Sequence, residues 1–452
     1  MLHGFYGGVH PADRKKTTSK VKIAAMERPP ARVVLPLCGQ DGESGEPLVK
    51  AGDKVSLGQL LCPATPRFAA VHASVSGTVA AIEPCLQSWG GKALSIVLEN
   101  DGKDAPARPA WTAASRRDAP QDLTPGEIVD IVRQAGIAGM GGGAFPAYLK
   151  LHSAIGRVDA LLLNGAECEP YLTADERLME ERPEAIIGGT RLLMRCLALD
   201  RAVIGVEGNK YAAVAALRKQ LPLRGGDVEV RTLRARYPQG SEKQLIQKLT
   251  GRRVPTGKLP ADAGCVVFNV ATAAAVYDAV YDAVPLTRRV VTVAGSAVAE
   301  PKNLLVPLGT PLEDLIREAG GWCAPPDRVL AGGPMMGAAQ FDLSTPVTKG
   351  TSAVLGLVAA EIKPANRPEG PCLRCGRCIE ACPMGLEPVY LHLYADHGRV
   401  RELAGLHIMD CTECGACAYG CPARIRLVHS IRSGKQQLRS LQEKNRGEGG
   451  AG

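Results

Sequence analysis

Two stretches near the end of the chain carry its densest chemistry. They are Cys372-Leu-Arg-Cys375-Gly-Arg-Cys378-Ile-Glu-Ala-Cys382-Pro383 and Cys411-Thr-Glu-Cys414-Gly-Ala-Cys417-Ala-Tyr-Gly-Cys421-Pro422. Both read C-x2-C-x2-C-x3-C-P. Three thiolates spaced by two residues can wrap one cube of iron and sulfide. The fourth, one residue further on and followed by proline, points away and ligates the other cube. The spacing predicts one [4Fe–4S] cluster on Cys372, Cys375, Cys378 and Cys421, and a second on Cys411, Cys414, Cys417 and Cys382. A zinc ribbon needs only four cysteines in paired C-x2-C knuckles, which leaves the third and fourth members of each run unexplained. The other seven of the fifteen cysteines are scattered singly. That pattern fits reduced thiols in a cytoplasmic compartment rather than a disulfide framework.

A second chemical signal is the loop Gly139-Met-Gly141-Gly142-Gly143-Ala-Phe145-Pro. It satisfies G-x-G-x-x-A, but Ile128–Ala135 before it has a helical pattern. A Rossmann dinucleotide site needs a strand there, so that inference fails. The glycines instead permit backbone N–H groups to approach a flat ring or a phosphate. Lys150, just beyond, could meet a phosphate or stand in solvent. Three polar stretches follow strands, where ligands of α/β folds bind: Asn164-Gly-Ala-Glu167-Cys-Glu169-Pro-Tyr171, Tyr237-Pro-Gln-Gly240-Ser-Glu242, and Asn269-Val-Ala-Thr272. Each could also be a turn or a helix cap, Ser241 and Asn269 in particular. Taken together, their amides, carboxylates and hydroxyl suit the edge of an isoalloxazine and a ribityl chain.

These groups need a scaffold, and 452 residues with 45% hydrophobic content allow about three domains with cores of their own. Residues 1–30 read as an extended arm over the surface. Residues 31–103 show short β segments, and their Gly-Asp-x-Val-x-x-Gly-Gln and Ser-Gly-Thr-Val pieces resemble a lipoyl-type barrel-sandwich. No lysine lies in 72–79 to carry a swinging arm, so this domain reads as structural. A Pro/Ala/Arg linker (104–125) leads to α/β alternation over 126–287. Its expected helices are 127–134, 183–197, 211–220, 242–249 and 271–284; its expected strands are 159–163, 202–206, 228–232 and 265–269. Residues 288–360 read as a β-grasp-like module, with Thr310-x-x-Glu313 as a capping box and a glycine-rich turn at 332–337. The dicluster domain (361–430) has a helical spacer over 389–406, and a basic tail (431–452) follows.

The net charge of +8 is partly gathered at the two ends, as Arg14-Lys15-Lys16 and as the tail. Solvated termini explain this, with docking to an acidic carrier or an anionic membrane surface as the alternative. With 4% aromatics and no binding motif, nucleic acid is not an expected partner. No run of ~20 apolar residues is present to span a bilayer, and the first residues lack a secretory pattern.

Over nearly its whole length the chain resembles the C subunits of the ion-translocating ferredoxin:NAD oxidoreductase (Rnf/Rsx) complexes. The resemblance rests on Gly-Gly-Val-His-Pro (7–11), His72-Ala-Ser-Val-Ser-Gly-Thr-Val, the glycine loop, the three polar stretches and both cysteine runs. The α/β region is in turn similar to the flavin-bearing, NADH-oxidising subunit of respiratory complex I. The resemblance implies FMN held by the 139–145 loop, Lys150, Asn164, Glu167, Asn269 and Thr272, with Gly240 also counted among the cofactor-binding residues. It also implies NAD(H) stacked near Phe145, with Glu169, Tyr171 and Glu242 lining its site. Relatives usually read Gly-Gly-Ala-Gly-Phe-Pro-Thr in the loop; here Ala and Gly are exchanged and Ala147 replaces Thr.

The implied circuit runs between NAD(H), FMN and two [4Fe–4S] clusters, because nicotinamide exchanges two electrons, a cluster one, and a flavin either number. Membrane subunits of the same complex and ferredoxin, or another carrier protein, are the implied partners. Ion pumping falls to those subunits, and the expected location is peripheral, on the cytoplasmic side of the bacterial inner membrane. Two rival readings remain: a cobalamin-reductase-like flavin/iron–sulfur enzyme, and a non-catalytic adaptor that carries clusters without flavin.

Overall fold

The structure, a computed structural model, describes residues 5–39, 44–109, 111, 122–222, 226–362 and 368–448. Half of the expected linker (110 and 112–121) and the end of the basic tail (449–452) lie outside the described residues.

The first strand, β1 (Ile23–Ala25), leaves its neighbours in sequence and pairs far away, as described below. Next come β2 (Arg32–Pro36), β3 (Lys54–Val55), β4 (Leu60–Cys62), β5 (Val71–His72), β6 (Gly77–Leu86) and β7 (Lys92–Asn100). They form an antiparallel sheet in the order β2-β7-β6-β3, with β4 and β5 as a separate pair. Alternation along the strands buries Val33 and Leu35 opposite Ile96 and Leu98.

The α/β region holds α1 (Pro125–Gln134), α2 (Ala147–Ala154), β8 (Ala160–Gly165), α3 (Ala174–Glu181), α4 (Pro183–Leu197), β9 (Ala202–Glu207), α5 (Tyr211–Lys219), β10 (Val228–Leu233), α6 (Glu242–Thr250), β11 (Cys265–Asn269) and α7 (Val270–Tyr281). The sheet is parallel throughout, in the order β10-β9-β8-β11. Strands β8, β9 and β11 are apolar on both faces, as a covered parallel sheet requires, while the edge strand β10 alternates. Leu161, Leu163 and Phe268 share a core with residues of α4 and α7, while Leu162 and Val267 meet Leu245, Ile246 and Leu249 of α6. Strand order reverses between β8 and β11, which places a crevice at their carboxyl ends.

The third module contains β12 (Arg288–Ala294), β13 (Lys302–Pro307), α8 (Leu312–Glu318), β14 (Arg328–Ala331), β15 (Ala338–Gln340) and β16 (Ala353–Leu357). Its mixed sheet has the order β1-β13-β12-β16-β14-β15, so the N-terminal arm supplies an edge strand. The arm is therefore not a surface strap: Phe5, Lys15 and Thr18 are buried. Thr310 does not cap α8 either. Pro311 stands at the N-cap, and the Thr310 hydroxyl donates to Pro307 O at 2.7 Å.

The last domain contains α9 (Ala359–Ile362), α10 (Arg377–Ala381), α11 (Pro388–Asp396), α12 (Val400–Gly405), α13 (Ala416–Gly420) and α14 (Leu427–Glu448). The expected helical spacer is two helices, parted at Gly398, whose φ is +64°. The basic tail is not a solvated strand of charge but the body of α14. Ile431 and Leu438 pack with Leu391, Leu403 and Ile408, and Lys435 is buried with its ammonium on Cys411 O (2.6 Å) and Glu413 (2.8 Å). Among the described residues, no helix is long and apolar enough to cross a membrane.

Candidate functional site

The crevice between β8 and β11 gathers the polar stretches. Asn164 and Asn269 sit opposite each other in register at the two strand ends. Asn269 caps α7 through the Ala271 N–H (2.8 Å) and donates its amide to Asp175 (2.7 Å). Asn164 donates to Gly240 O at 2.8 Å, which brings in the 237–242 stretch. Ser241 stands at the N-cap of α6 without a side-chain cap bond.

The glycine loop closes over this floor. Gly139 donates to Phe145 O (2.8 Å) and Ala144 to Gly139 O (3.0 Å). Thr272 accepts the Met140 N–H at 3.0 Å and pins the loop from below. Gly141 stands against the Asn269 side chain, 3.5 Å from where its own Cβ would be. Gly142 and Gly143 face open space. The N–H groups of Gly141, Gly142 and Gly143 bond to none of the described residues. Three successive amides without a partner among the described residues are available to an anion. Phe145 presents a half-exposed ring beside it. Ala144 is held at φ +48°, a left-handed conformation that costs a side-chain-bearing residue roughly 1–2 kcal/mol. Lys150, expected on a phosphate, is paired with Glu242.

Beneath the floor lies a buried charge cluster. Glu167 does not face the loop; it accepts the Asp175 and Glu176 N–H groups at 2.7 and 3.2 Å and so caps α3. Lys15, from the arm, donates to Glu167 O (2.9 Å) and to Leu172 O, with the Glu167 carboxylate 3.9 Å away. Burial, with Glu167 adding, pushes the Asp175 carboxyl up, and likewise lifts Glu176 to about 7. Burial lowers Arg289 to about 10; its guanidinium braces the loop through Met140 O (3.3 Å) and Lys349 O. Sequence reasoning assigned no role to Lys15, Asp175 or Arg289. Asp175 lies eight residues beyond Glu167, a usable signal, whereas a buried arginine within a strand pattern gives none.

Two expected site residues face elsewhere. The Tyr171 ring is buried in a cluster with Leu330 and Leu355 of the third module, and its hydroxyl donates to Glu361. Glu169 accepts the Met335 N–H at 3.0 Å, while its Oε1 is buried with no partner among the described residues. Burial raises its carboxyl to about 7. Met335 O in turn lies against Gly415, so Glu169 stands between the crevice and the second cysteine run.

The two cysteine runs fold as copies of one another. Each has a left-handed residue after the first x (Arg374, φ +53°; Glu413, φ +56°) and a left-handed glycine capping a short helix (Gly376, φ +75°; Gly415, φ +79°). In each, a backbone N–H reaches the first sulfur: Arg374 to Cys372 and Glu413 to Cys411, both at 3.4 Å. Cys382 and Cys421 end the two helices, and the helices pack on each other. Cys382, Cys411, Cys414 and Cys417 line one cavity, closed by Leu386, Leu391, Val428 and Ile431. Cys378 and Cys421 pack together beside Ile425 and Leu427, and Cys372 and Cys375 are exposed. Burial pushes the Cys411 thiol up to about 11 and raises Cys382 and Cys417 as well. Thiolates there need a cationic centre to balance them. Among the described residues, no three His, Cys, Asp or Glu side chains close tightly enough to hold one metal ion.

Comparison with known proteins follows the same divisions. Residues 3–103 match the RnfC barrel sandwich hybrid domain, 132–278 the Nuo51 FMN-binding domain, 290–339 the SLBB domain and 371–425 a 4Fe-4S dicluster domain. The chain is 41% identical to the C subunit of the proton-translocating ferredoxin:NAD(+) oxidoreductase complex of Clostridium ljungdahlii, over 99% of this chain and 96% of that one. It is 40% identical to the C subunit of the Na(+)-translocating complex of Acetobacterium woodii, over 97% and 98%. It is also 40% identical to the C subunit of the ion-translocating oxidoreductase complex of Rhodobacter capsulatus, over 97% and 84%. Among solved structures, an NAD+-reducing [NiFe]-hydrogenase in the H2-reduced state aligns at a TM-score of 0.52 and 20% identity, covering 73% of this chain and 65% of that chain. That likeness speaks for the fold alone. At the identity and coverage shared with the three relatives, the chain belongs to the RnfC family, the C subunits of ion-translocating ferredoxin:NAD(+) oxidoreductase complexes.

Proposed function

We propose that the chain exchanges electrons between NAD(H), bound with FMN at the β8/β11 crevice, and two [4Fe–4S] clusters in the C-terminal domain. Membrane subunits of the complex and ferredoxin lie beyond the clusters, ion translocation is coupled in those subunits, and the chain sits peripherally on the cytoplasmic face. One observation carries the reading. The crevice residues and the second cysteine run are directly joined: Tyr237, three residues from Gly240, donates its hydroxyl to Cys414 O at 2.6 Å.

The donor sets suit both groups. Three free glycine amides fit a phosphate, and the amides of Asn164 and Asn269 offer polar partners for a ribityl chain. Four thiols around one cavity, in a run repeated with the same spacing, support a cluster over a zinc ion. When bound, FMN would supply the exchange between two-electron and one-electron chemistry.

The protein's own part is position and electrostatics. Thr272 and Arg289 hold the loop, and Asp175 aims the Asn269 amide. Phe145 offers a ring face for a nicotinamide. Glu242, drawn to Lys150 here, can release it to a phosphate, since both side chains are about one-third exposed (38% and 31%). The second set, with Cys382, Cys414 and Cys417 buried and Cys411 half-buried, lies toward the crevice and the exposed thiols Cys372 and Cys375 toward solvent. Electrons therefore pass the second set before reaching the first, and leave at the exposed loop.

Anaerobic reconstitution of the whole chain tests this. Flavin should be bound, iron and sulfide should approach two cubes per chain, and NADH should bleach the flavin. Iron without flavin would favour the adaptor reading, and zinc in place of iron would end the proposal.

A further inference from the structure

The Gly7-Gly8-Val9 segment has no part in the reading above, yet it touches both halves of the circuit. Val9 and Tyr237 exchange backbone hydrogen bonds, N–H to O at 2.8 and 2.9 Å. On its other side, Gly8 donates to Ala381 O at 2.9 Å, one residue before Cys382. Gly7 lies on the Cys382 carbonyl: at φ +72°, a Cβ would stand 2.4 Å from that oxygen and 3.0 Å from Pro383 N. Gly8, at φ +82°, would place a Cβ 2.6 Å from Tyr237 O. Both positions thus demand glycine twice over, for conformation and for space. The segment is anchored by Phe5, whose ring is buried under the Arg236 guanidinium (5.0 Å to the ring centre) and whose carbonyl accepts from it at 3.3 Å.

Tyr237 therefore reaches the second set by two routes: directly through Cys414 O, and through Val9, Gly8 and Gly7 to Cys382. We propose that Gly7 and Gly8 are positioning residues, which fix the second cysteine set against the flavin crevice and thereby set the rate of electron transfer between them. The proposal rests on the flavin-and-cluster reading. It adds that an arm distant in sequence, touching neither cofactor, governs their separation, on which electron transfer depends steeply.

The test compares Gly7→Ala with Gly102→Ala in the reconstituted full chain. Gly102 has a similar φ of +69°, but nothing lies within 4 Å of its Cβ position, so it shares the backbone cost without the contact. Flavin and iron content, NADH–ferricyanide turnover, the stopped-flow rate of cluster reduction after flavin reduction, and the resonance spectrum of the second-set cluster would be measured. For Gly7→Ala the expectation is wild-type flavin, iron and ferricyanide turnover, cluster reduction slowed about tenfold or more, and an altered second-set spectrum. Gly102→Ala should match wild type throughout. If Gly7→Ala fails to fold, Phe5→Ala, which loosens the anchor without a clash, should give the same slowing. Unchanged transfer and spectrum in a folded Gly7→Ala, or in Phe5→Ala where that variant decides, would overturn the proposal. Wild-type protein lacking flavin or iron would instead overturn the reading beneath it.

Discussion

Lys15→Met is the substitution whose effect departs furthest from what the sequence suggests. In sequence Lys15 belongs to a basic triplet of the sort that lies in solvent; in the fold its side chain is 7% exposed, next to a Glu167 side chain that is 4% exposed. Burial and the nearby Lys210 lower its pKa, while Glu167, Glu207 and Glu176 pull it back up. Its ammonium satisfies two backbone carbonyls, Glu167 O and Leu172 O. Removing it leaves those acceptors bare, at about 1–3 kcal/mol for each buried group, and strands the carboxylates around it. Breaking a buried pair from one side costs about 3–5 kcal/mol, and that is the expected loss of unfolding free energy. Denaturant unfolding followed by circular dichroism would measure it. Exposed Lys16→Met, the neighbour, should stay within about 0.5 kcal/mol of wild type. The Lys15→Met/Glu167→Gln pair should lose less than the sum of the singles, because part of the cost is the abandoned charge. A Lys15→Met protein as stable as Lys16→Met would refute the buried-charge argument.

Two further outcomes are expected. Cys382→Ser should damage the cluster built by the second run, although Cys382 lies in the first; resonance spectra altered only in the first-run cluster would break the crossed assignment. Glu169 has a folded pKa of about 7 against an ordinary 4.5, so the fold favours its protonated form. Its carboxyl is neutral in both states below the unfolded pKa, and stability falls as pH rises from about 4.5 through about 7, by ~3 kcal/mol at most. Glu169→Gln should flatten that slope in denaturation curves taken across the window, and an unaltered slope would show that the carboxyl is not held in its neutral form.

How far the sequence speaks for itself is clearest in two matching tetrads. Thr124-Pro-Gly-Glu127 and Thr310-Pro-Leu-Glu313 carry the same capping-box pattern. The first forms the box, with reciprocal bonds between Thr124 and Glu127. In the second, Thr310 is fully buried and its hydroxyl goes to Pro307 O instead. Local pattern cannot tell these apart, because tertiary packing decided the second. The strands of the parallel sheet were legible within a residue or two at each end, since apolar runs between helical periods leave little choice. The meeting of Asn164, Gly240, Asn269 and the glycine loop could be anticipated too, because parallel strands present their carboxyl ends to one crevice. Tyr171 could not be placed that way: its neighbours Leu330 and Glu361 lie more than 150 residues away in sequence. The arm escaped for the same reason, since its partners Tyr237, Ala381 and Asn303 are all distant.

The cysteine runs carry this reasoning one step further. Equal spacing produces equal local geometry, down to the left-handed residue in each x-x pair. Any difference between the two centres must then come from what the rest of the chain packs on them. The second run is covered by α14, whose Arg432 and Lys435 both bind Glu413, and by Tyr237 on Cys414 O. Gly7 presses on Cys382, the first-run cysteine that lines the same cavity as Cys411, Cys414 and Cys417. At Arg374, the counterpart of Glu413, the first run is exposed, and so are Cys372, Leu373 and Cys375. Low exposure and a fixed surround shift the potential of a cluster and shield it from water, whereas exposure leaves it open to a partner. Motif repetition therefore accounts for two cysteine runs of one local geometry, and the arm, Tyr237 and α14 cover one set while the loop of the other stays exposed.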